Sequence, residues 1–428
     1  MNAAELKAKI ANGGIDDVLK DGLSVPAAKI ECQRARYAKA VGEFEALYGD
    51  GDISLYSVGG RSEISGNHTD HNFGKVIAAS VNLDILAVVK PTDDGVIRIK
   101  SEGFPEDVVP ASAADAPDSS KFFKSEAIIA GMERAFLNAG YKVGGFSAYT
   151  TSNVLKGSGI SSSAAFEVMV GNILNYLYND GAVSNVDIAK MAQFAENEFF
   201  GKPCGLMDQT ACAVGGFITI DFEDPKNPII EKMDFDLGKN GYSLCIVNTG
   251  GNHADLNDDY ASVPAEMKAV AAELGVPVLR KTDREALIRN ICAIREKCGD
   301  RAIMRAFHFF AENERVAAQV EALRKGDIEG FKAGVMASGN SSFKYLQNVY
   351  TTKNVGEQGL SLALCLTEQY LTGTGAAWRV HGGGFAGTIQ AFVPADLTEG
   401  YRAHMDSVFG EGACHILSVR KNGACKIC

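Results

Sequence analysis

No Walker-type phosphate loop, G-x-x-x-x-G-K-[ST], occurs in this chain of 428 residues, which argues against a P-loop enzyme. Long apolar runs are also missing. The best candidates, "KVIAASVNLDILAVVK" and "GLSLALCLTEQYL", are interrupted by polar residues and fall short of a membrane span. Positive charge is in deficit, with Lys+Arg 42 against Asp+Glu 53 and a net charge of −11. That balance disfavours nucleic acid or an anionic membrane as partner, although one local site can still take a phosphorylated molecule. There is no internal repeat and no low-complexity segment. The ten cysteines have no regular spacing, so no disulfide framework is expected. The terminal pair Cys425 and Cys428 lacks the second pair or histidine that a zinc site needs, and reads as a reduced strand end. The start, "MNAAELKAKIANGG", has no apolar signal core, so a cytoplasmic location is expected.

What is present is a soluble α+β composition, too long for one ordinary core. The polar, proline-bearing stretch "DFEDPKNPII" (221–230) is the best hinge candidate, dividing the chain into 1–226 and 227–428. Strands are predicted at 53–58, 75–90 and 145–152, rich in β-branched and apolar residues. The last of these runs into "VLKGSGISSSAAFEV" (154–168), after which Ala165, Val168, Met169, Ile173 and Leu177 recur at helical intervals. Further strands are expected in "YSLCIVNTGG" and in "AAWRVHGGGFAGTIQAFV", and long helices over 302–325 and 329–347. Trp378 and Arg379 read as core and structural ion pair.

A glycine-rich turn feeding a helix N-terminus gathers unpaired N–H groups at the positive end of the helix dipole, which suits a phosphate. Gly157, Ser158, Gly159, Ile160, Ser161, Ser162 and Ser163 are the candidate nucleotide residues; three serines in a row exceed what a helix cap requires. Gly382 to Gly387 matches G-x-G-x-x-G, but a strand-like run follows it where a dinucleotide fold needs a helix. A second cluster, "VGGRSEISGNHTDHNFG" (58–74), offers Arg61, Asn67, His68, Thr69, Asp70, His71 and Asn72, a density of donors and acceptors suited to a sugar. A third, "FAENEFFGKPCGLMDQTACAVGG" (194–216), places Asp208 beyond a Pro203/Gly205 turn among apolar neighbours. It is either a catalytic carboxylate or a helix cap. One of Glu196 and Glu198 can face a metal while the other is solvated.

These segments resemble the motifs of the GHMP family of small-molecule kinases, and within it the galactose-phosphorylating branch. "GRSEISGNHTDHNFG" is similar to its sugar motif, G-R-x-N-L-I-G-E-H-T-D-Y-N-x-G, and "LKGSGISSSAA" to its ATP loop, P-x-x-x-G-L-S-S-S-A. "GKPCGLMDQ" resembles G-x-P-C-G-I-M-D-Q, and "HGGGFAG" the third family motif, G-A-G-F-G-G. The resemblance implies a two-domain α+β fold. The N-terminal domain would be of ribosomal-protein-S5-like type and the C-terminal domain ferredoxin-like, with the active site in the cleft between. It implies ATP and Mg²⁺, phosphorylation of a sugar's anomeric hydroxyl, and a monomer or weak homo-oligomer. Asp208 would be the base and Arg61 the charge stabiliser. Ser163 and Glu196 would hold Mg²⁺, while Asn67, His68, Asp70, Gly205 and Tyr260 contact the sugar. Departures are Asn67 for glutamate, His71 for tyrosine and Ala386 for glycine. Asn67 stands where the branch reads the C6 hydroxyl, which opens galacturonate, L-arabinose or N-acetylgalactosamine as alternatives to galactose. A non-catalytic sugar sensor is the less favoured expectation, because "GISSSAA", Asp208 and Arg61 are all intact.

Overall fold

The long hairpin of β1 (Ser54–Ser65) and β2 (Lys75–Pro91) organises the molecule. The computed structural model describes residues 1–111, 116–154, 160–251 and 256–428. β3 (Val96–Ser101), β4 (Glu106–Pro110) and β5 (Phe146–Ser152) extend the sheet beyond β2. β6 (Phe217–Asp221) pairs with the first residues of β2, and β7 (Ile229–Met233) pairs with β6. A second, four-stranded antiparallel sheet is made from β8 (Tyr242–Asn248), β9 (Ala377–His381), β10 (Thr388–Pro394) and β11 (Cys414–Leu417), in the order β11-β8-β10-β9. The chain then returns to the first sheet, where β12 (Cys425–Lys426) pairs with β1 and completes the order β12-β1-β2-β5-β3-β4. Cys425 thus does lie in a strand, and among the described residues it forms no disulfide. Among the described residues no helix is long and apolar enough to cross a membrane.

The predicted hinge is instead a hairpin turn. Residues between β6 and β7 belong to the first sheet, and the chain passes to the second only after Met233. The Asp224 carboxylate accepts from Lys226 N and Asn227 Nδ2 in an Asx turn, a chemistry that hairpins and linkers share. The expected division between 226 and 227 therefore falls inside a hairpin of the first sheet.

Strand alternation sends β2 side chains to both faces. Ile85, Ala87 and Val89 join one core with Ile129, Met132, Val168 and Ile188, while Leu86 and Val88 join another with Leu6, Tyr37 and Phe44. The first face carries the helices Ser125–Asn138, Ser162–Tyr178, Asn185–Phe194 and Met207–Val214, and the second carries Ala3–Ala11 and Ile30–Tyr48. The predicted long helices are Ile291–Lys325, kinked at Gly299 with φ 80°, and Ile328–Ser341.

One buried acid stands out in this packing. Glu133 is fully buried on the Ser125–Asn138 helix, and neither carboxylate oxygen has a hydrogen-bond partner among the described residues. Burial pushes its pKa up to about 8. A carboxyl raised in this way gives its full stability below about 4.5 and loses it as pH rises through about 8. Glu133→Gln is therefore expected to stabilise the fold by about 1–3 kcal/mol at pH 8, with the gain vanishing towards pH 5. Thermal melts of both proteins across that range measure it; a gain independent of pH would contradict the cause.

Candidate active site

β1 approaches the end of the glycine-serine loop because residue 60 has no side chain. A Cβ on Gly60 would stand 2.6 Å from Ile160 Cγ2 and 2.9 Å from the Ile160 carbonyl. That closeness lets Arg61 N donate to Ile160 O at 3.0 Å. The β1/β2 register shifts between Gly59 and Arg61, a bulge of the kind that re-aims a side chain. Arg61 Nε and Nη2 then donate to Asp208 Oδ1 and Oδ2 at 2.7 and 2.6 Å. Ser161, held at φ 59°, a costly setting for a non-glycine residue, donates its hydroxyl to Asp208 Oδ2 at 2.7 Å. Gly157, Ser158 and Gly159 lie outside the described residues.

Asp208 is in the first turn of the Met207–Val214 helix and makes no capping bond, so the cap alternative falls. Burial raises its pKa, but the Arg61 charge, the Arg61 hydrogen bonds and the Ser161 hydroxyl outweigh it and hold the carboxyl below its ordinary range. Asp70 goes the other way: burial, only partly opposed by His68, pushes it up. Gly205 brings the chain against Asp70, since a Cβ there would lie 3.0 Å from Asp70 Oδ2. His68 Nε2 bonds the Gly383 carbonyl at 2.9 Å, and the Tyr260 hydroxyl donates to Gly384 O at 2.8 Å. Arg61, His68, Asp70, Ser161, Gly205, Asp208 and Tyr260 thus surround one place, where the first sheet meets the glycine loop between β9 and β10.

Asn67 is not brought to the open side with them. It is fully buried, and its amide is spent on the protein. Nδ2 donates to Glu63 Oε1 at 2.9 Å and Gly382 O at 2.7 Å, while Oδ1 accepts from Asn348 Nδ2 at 2.8 Å. Its backbone is pinned as well, by His308 Nε2 at the carbonyl and Glu312 Oε1 at the amide. Asn67 was expected to contact a sugar; in this structure its amide is committed to protein partners. Glu63 occupies the position where the sugar motif has asparagine, and Asn67 the position where it has glutamate. Amide and carboxylate have changed places four residues apart and bonded to each other. Arg379, buried as expected, ion-pairs with Glu63 at 3.2 Å.

Glu196 is buried on the π-helical turn Ala195–Phe199. Lys202 Nζ donates to its Oε1 at 2.8 Å and Gln209 Nε2 to its Oε2 at 2.7 Å. The same Gln209 amide donates to Glu167 Oε2 at 3.0 Å. Burial, with the Glu196 charge adding to it, pushes Glu167 up to about 8. Among the described residues no three His, Cys, Asp or Glu converge as a metal cage. Ser162, Ser163 and Glu167 line a cavity of about 790 Å³ that is walled by Phe104, Phe123, Phe166 and Phe200 and dotted with Ser101, Thr150 and Asn153. Sequence reasoning missed this cavity, Glu167 and the Ser161–Asp208 bond. For Glu167 a signal existed, since it sits one helical turn after Ser163.

Two family models fall on these segments. Residues 42–91 match a galactokinase galactose-binding signature, and residues 126–216 match the GHMP kinases N terminal domain. A galactokinase of Streptomyces coelicolor is 32% identical over 365 residues, which covers 84% of this chain and 89% of that one. The chain belongs to the galactokinase family. A galactokinase of Lactobacillus helveticus is 29% identical over 376 residues, 86% of this chain and 92% of the relative. The fold is that of a Lactococcus lactis galactokinase solved in complex with galactose, with TM-score 0.73, 23% identity and coverage of 91% of this chain and 99% of that one. A Methanococcus jannaschii mevalonate kinase shares it more distantly, with TM-score 0.61 at 14% identity over 86% of this chain and 99% of that one. The galactokinase signature spans the Arg61–Asp70 cluster, and the GHMP domain spans the serine run, Glu196 and Asp208.

Proposed function

We propose that this chain transfers the terminal phosphoryl group of ATP to the anomeric hydroxyl of galactose, releasing ADP and galactose 1-phosphate. The observation that carries the proposal is the state of Asp208: ionised, doubly gripped by Arg61, and tied through Ser161 to the loop that would wrap the phosphates. Among the described residues its Oδ2 holds two hydrogen bonds and its Oδ1 one. Oδ1 therefore keeps a lone pair, and it is the oxygen that takes the C1 hydroxyl proton as the oxygen–phosphorus bond forms. Arg61 keeps the carboxylate charged and faces the negative charge that spreads over the transferring group. His68, Asp70, Gly205 and Tyr260 orient the sugar, with the Asp70 carboxyl, which burial pushes up, offering oxygens to its hydroxyls. The aromatic-walled cavity beside Ser162 and Ser163 takes the adenine.

Mg²⁺ fits the residues present, since the buried Glu196 carboxylate already faces one cation and Ser163 lies in the first turn of the helix beside the cavity. Magnesium binds through one or two carboxylates plus phosphate oxygens. Ser163 and Glu196 would hold it, and it supplies charge neutralisation on the nucleotide phosphates.

A second sugar is favoured by one observation, the withdrawal of Asn67 into the protein. Without its contact the C6 position loses a direct reader, and L-arabinose, which lacks C6, gives up little by comparison. Sugar-dependent ADP release with galactose, galacturonate, N-acetylgalactosamine and L-arabinose tests both readings. Galactose is expected to lead L-arabinose by less than about tenfold, below the ~10–200-fold that a hydrogen bond to a charged group would give. A lead of several hundredfold would restore a direct C6 contact, and no ADP release with any sugar would turn the reading towards a sensor.

A further inference from the structure

Glu167 has no part in the chemistry just described, yet it lines the cavity beside Ser162 and Ser163. It sits one turn beyond Ser163 on the Ser162–Tyr178 helix, so the two side chains share a face. Its residue is fully buried from solvent, but it lines the cavity with Ser162 and Ser163. One carboxylate oxygen is held by Gln209, whose other amide hydrogen holds Glu196. The second oxygen, Oε1, has no hydrogen-bond partner among the described residues. Buried carboxylates are costly unless paired or bound to a metal.

Gln209 thus clips two carboxylates together, one of them with an idle oxygen. Among the described residues the cation beside them is Lys202, which bonds the Glu196 side and whose side chain is 54% exposed. Arg61 is already committed to Asp208. A small divalent cation supplies what this arrangement lacks: positive charge and vacancies for hard oxygen donors.

Resting on the kinase reading above, we propose that Glu167 is a second carboxylate of the divalent-cation seat, acting with Glu196 and Ser163. Gln209 is the positioning residue that holds the two acids side by side. The proposal separates Glu167 from a merely structural buried acid, which would leave metal affinity untouched when neutralised.

The test uses Mn²⁺ as probe, titrated by electron paramagnetic resonance into the full chain with a non-hydrolysable ATP analogue. Glu167→Gln keeps the shape and the bond to Gln209 while removing the carboxylate that a cation would need. It is expected to weaken Mn²⁺ binding by about 10–100-fold, as loss of a supporting group at a metal site does, while the protein melts cooperatively and no lower than the wild type. Glu196→Gln is the reference and should weaken it at least as much. Should Glu167→Gln fail to fold, Glu167→Asp withdraws the charge by one methylene and is expected to weaken binding to a smaller degree. Wild-type affinity in the Glu167 variant, alongside loss in Glu196→Gln, overturns the proposal and leaves the kinase reading standing. Wild-type affinity in both variants removes Glu196 from the metal seat as well and overturns that part of the kinase reading.

Discussion

Asp208→Asn is expected to lower kcat by about 10²–10⁴-fold, the usual share of a positioned general base, while ATP-analogue affinity changes by less than about threefold. Asparagine has nearly the shape of aspartate and can still accept one bond from Arg61 or Ser161, so the site should keep its geometry. What it cannot do is take a proton at Oδ1. Steady-state ADP release gives kcat, and calorimetric titration of a non-hydrolysable ATP analogue gives affinity. The competing base is Asp70, close enough to interact with Asp208, but its carboxyl is shifted up by burial where that of Asp208 is held down. Asp70→Asn is therefore expected to act mainly on the KM for the sugar. A fall in kcat for Asp70→Asn with Asp208→Asn near normal would exchange their roles.

The parts of the site that could be read from the chain are those that local rules dictate. A serine run before an apolar helix marks a helix N-terminus wherever it occurs, and the Ser162–Tyr178 helix begins there. Arg61 and Asp208 were legible because each is a charged residue among glycines and apolar neighbours, a setting that demands a partner. Their pairing across 147 positions was expected from the family resemblance alone, since nothing in the local sequence joins them. The partners of Asn67 were hidden for the same reason. Nothing near it in sequence reveals Asn348, 281 positions on, which together with Glu63 and Gly382 uses up its amide. Glu167 hid inside a helix whose apolar period looked like pure core, and Gln209, which exposes its role, is 42 residues away. At 221–230 the error was of another kind: proline, glycine-free polarity and aspartate describe a turn equally well whether it joins two domains or two strands. Local chemistry can name the actors; only the packed sheet shows which of them meet.

Arg61→Gln is expected to cost about 10²–10³-fold in kcat, the range seen when a preorganised donor to transition-state charge is removed. It is also expected to change the pH profile, and the sign follows from the balance at Asp208. Burial is the largest influence there and raises the carboxyl; the Arg61 charge and its two hydrogen bonds are what bring it below the ordinary value of 3.8. A general base works when deprotonated, so the acid limb of the wild-type profile lies below that value and activity is flat in pH from 5 upward. With glutamine at position 61 burial is opposed by little more than Ser161 and Lys202, the carboxyl rises, and the acid limb moves into the measurable range. Arg61→Lys keeps the charge but loses the two-pronged grip, so it should lose rate while shifting the limb less. kcat/KM measured from pH 5 to 9 for the three proteins distinguishes the two duties of Arg61. A slow Arg61→Gln enzyme with a profile as flat as the wild type would mean that Arg61 serves the phosphoryl group and not the base. An unimpaired one would remove Arg61 from the reaction altogether.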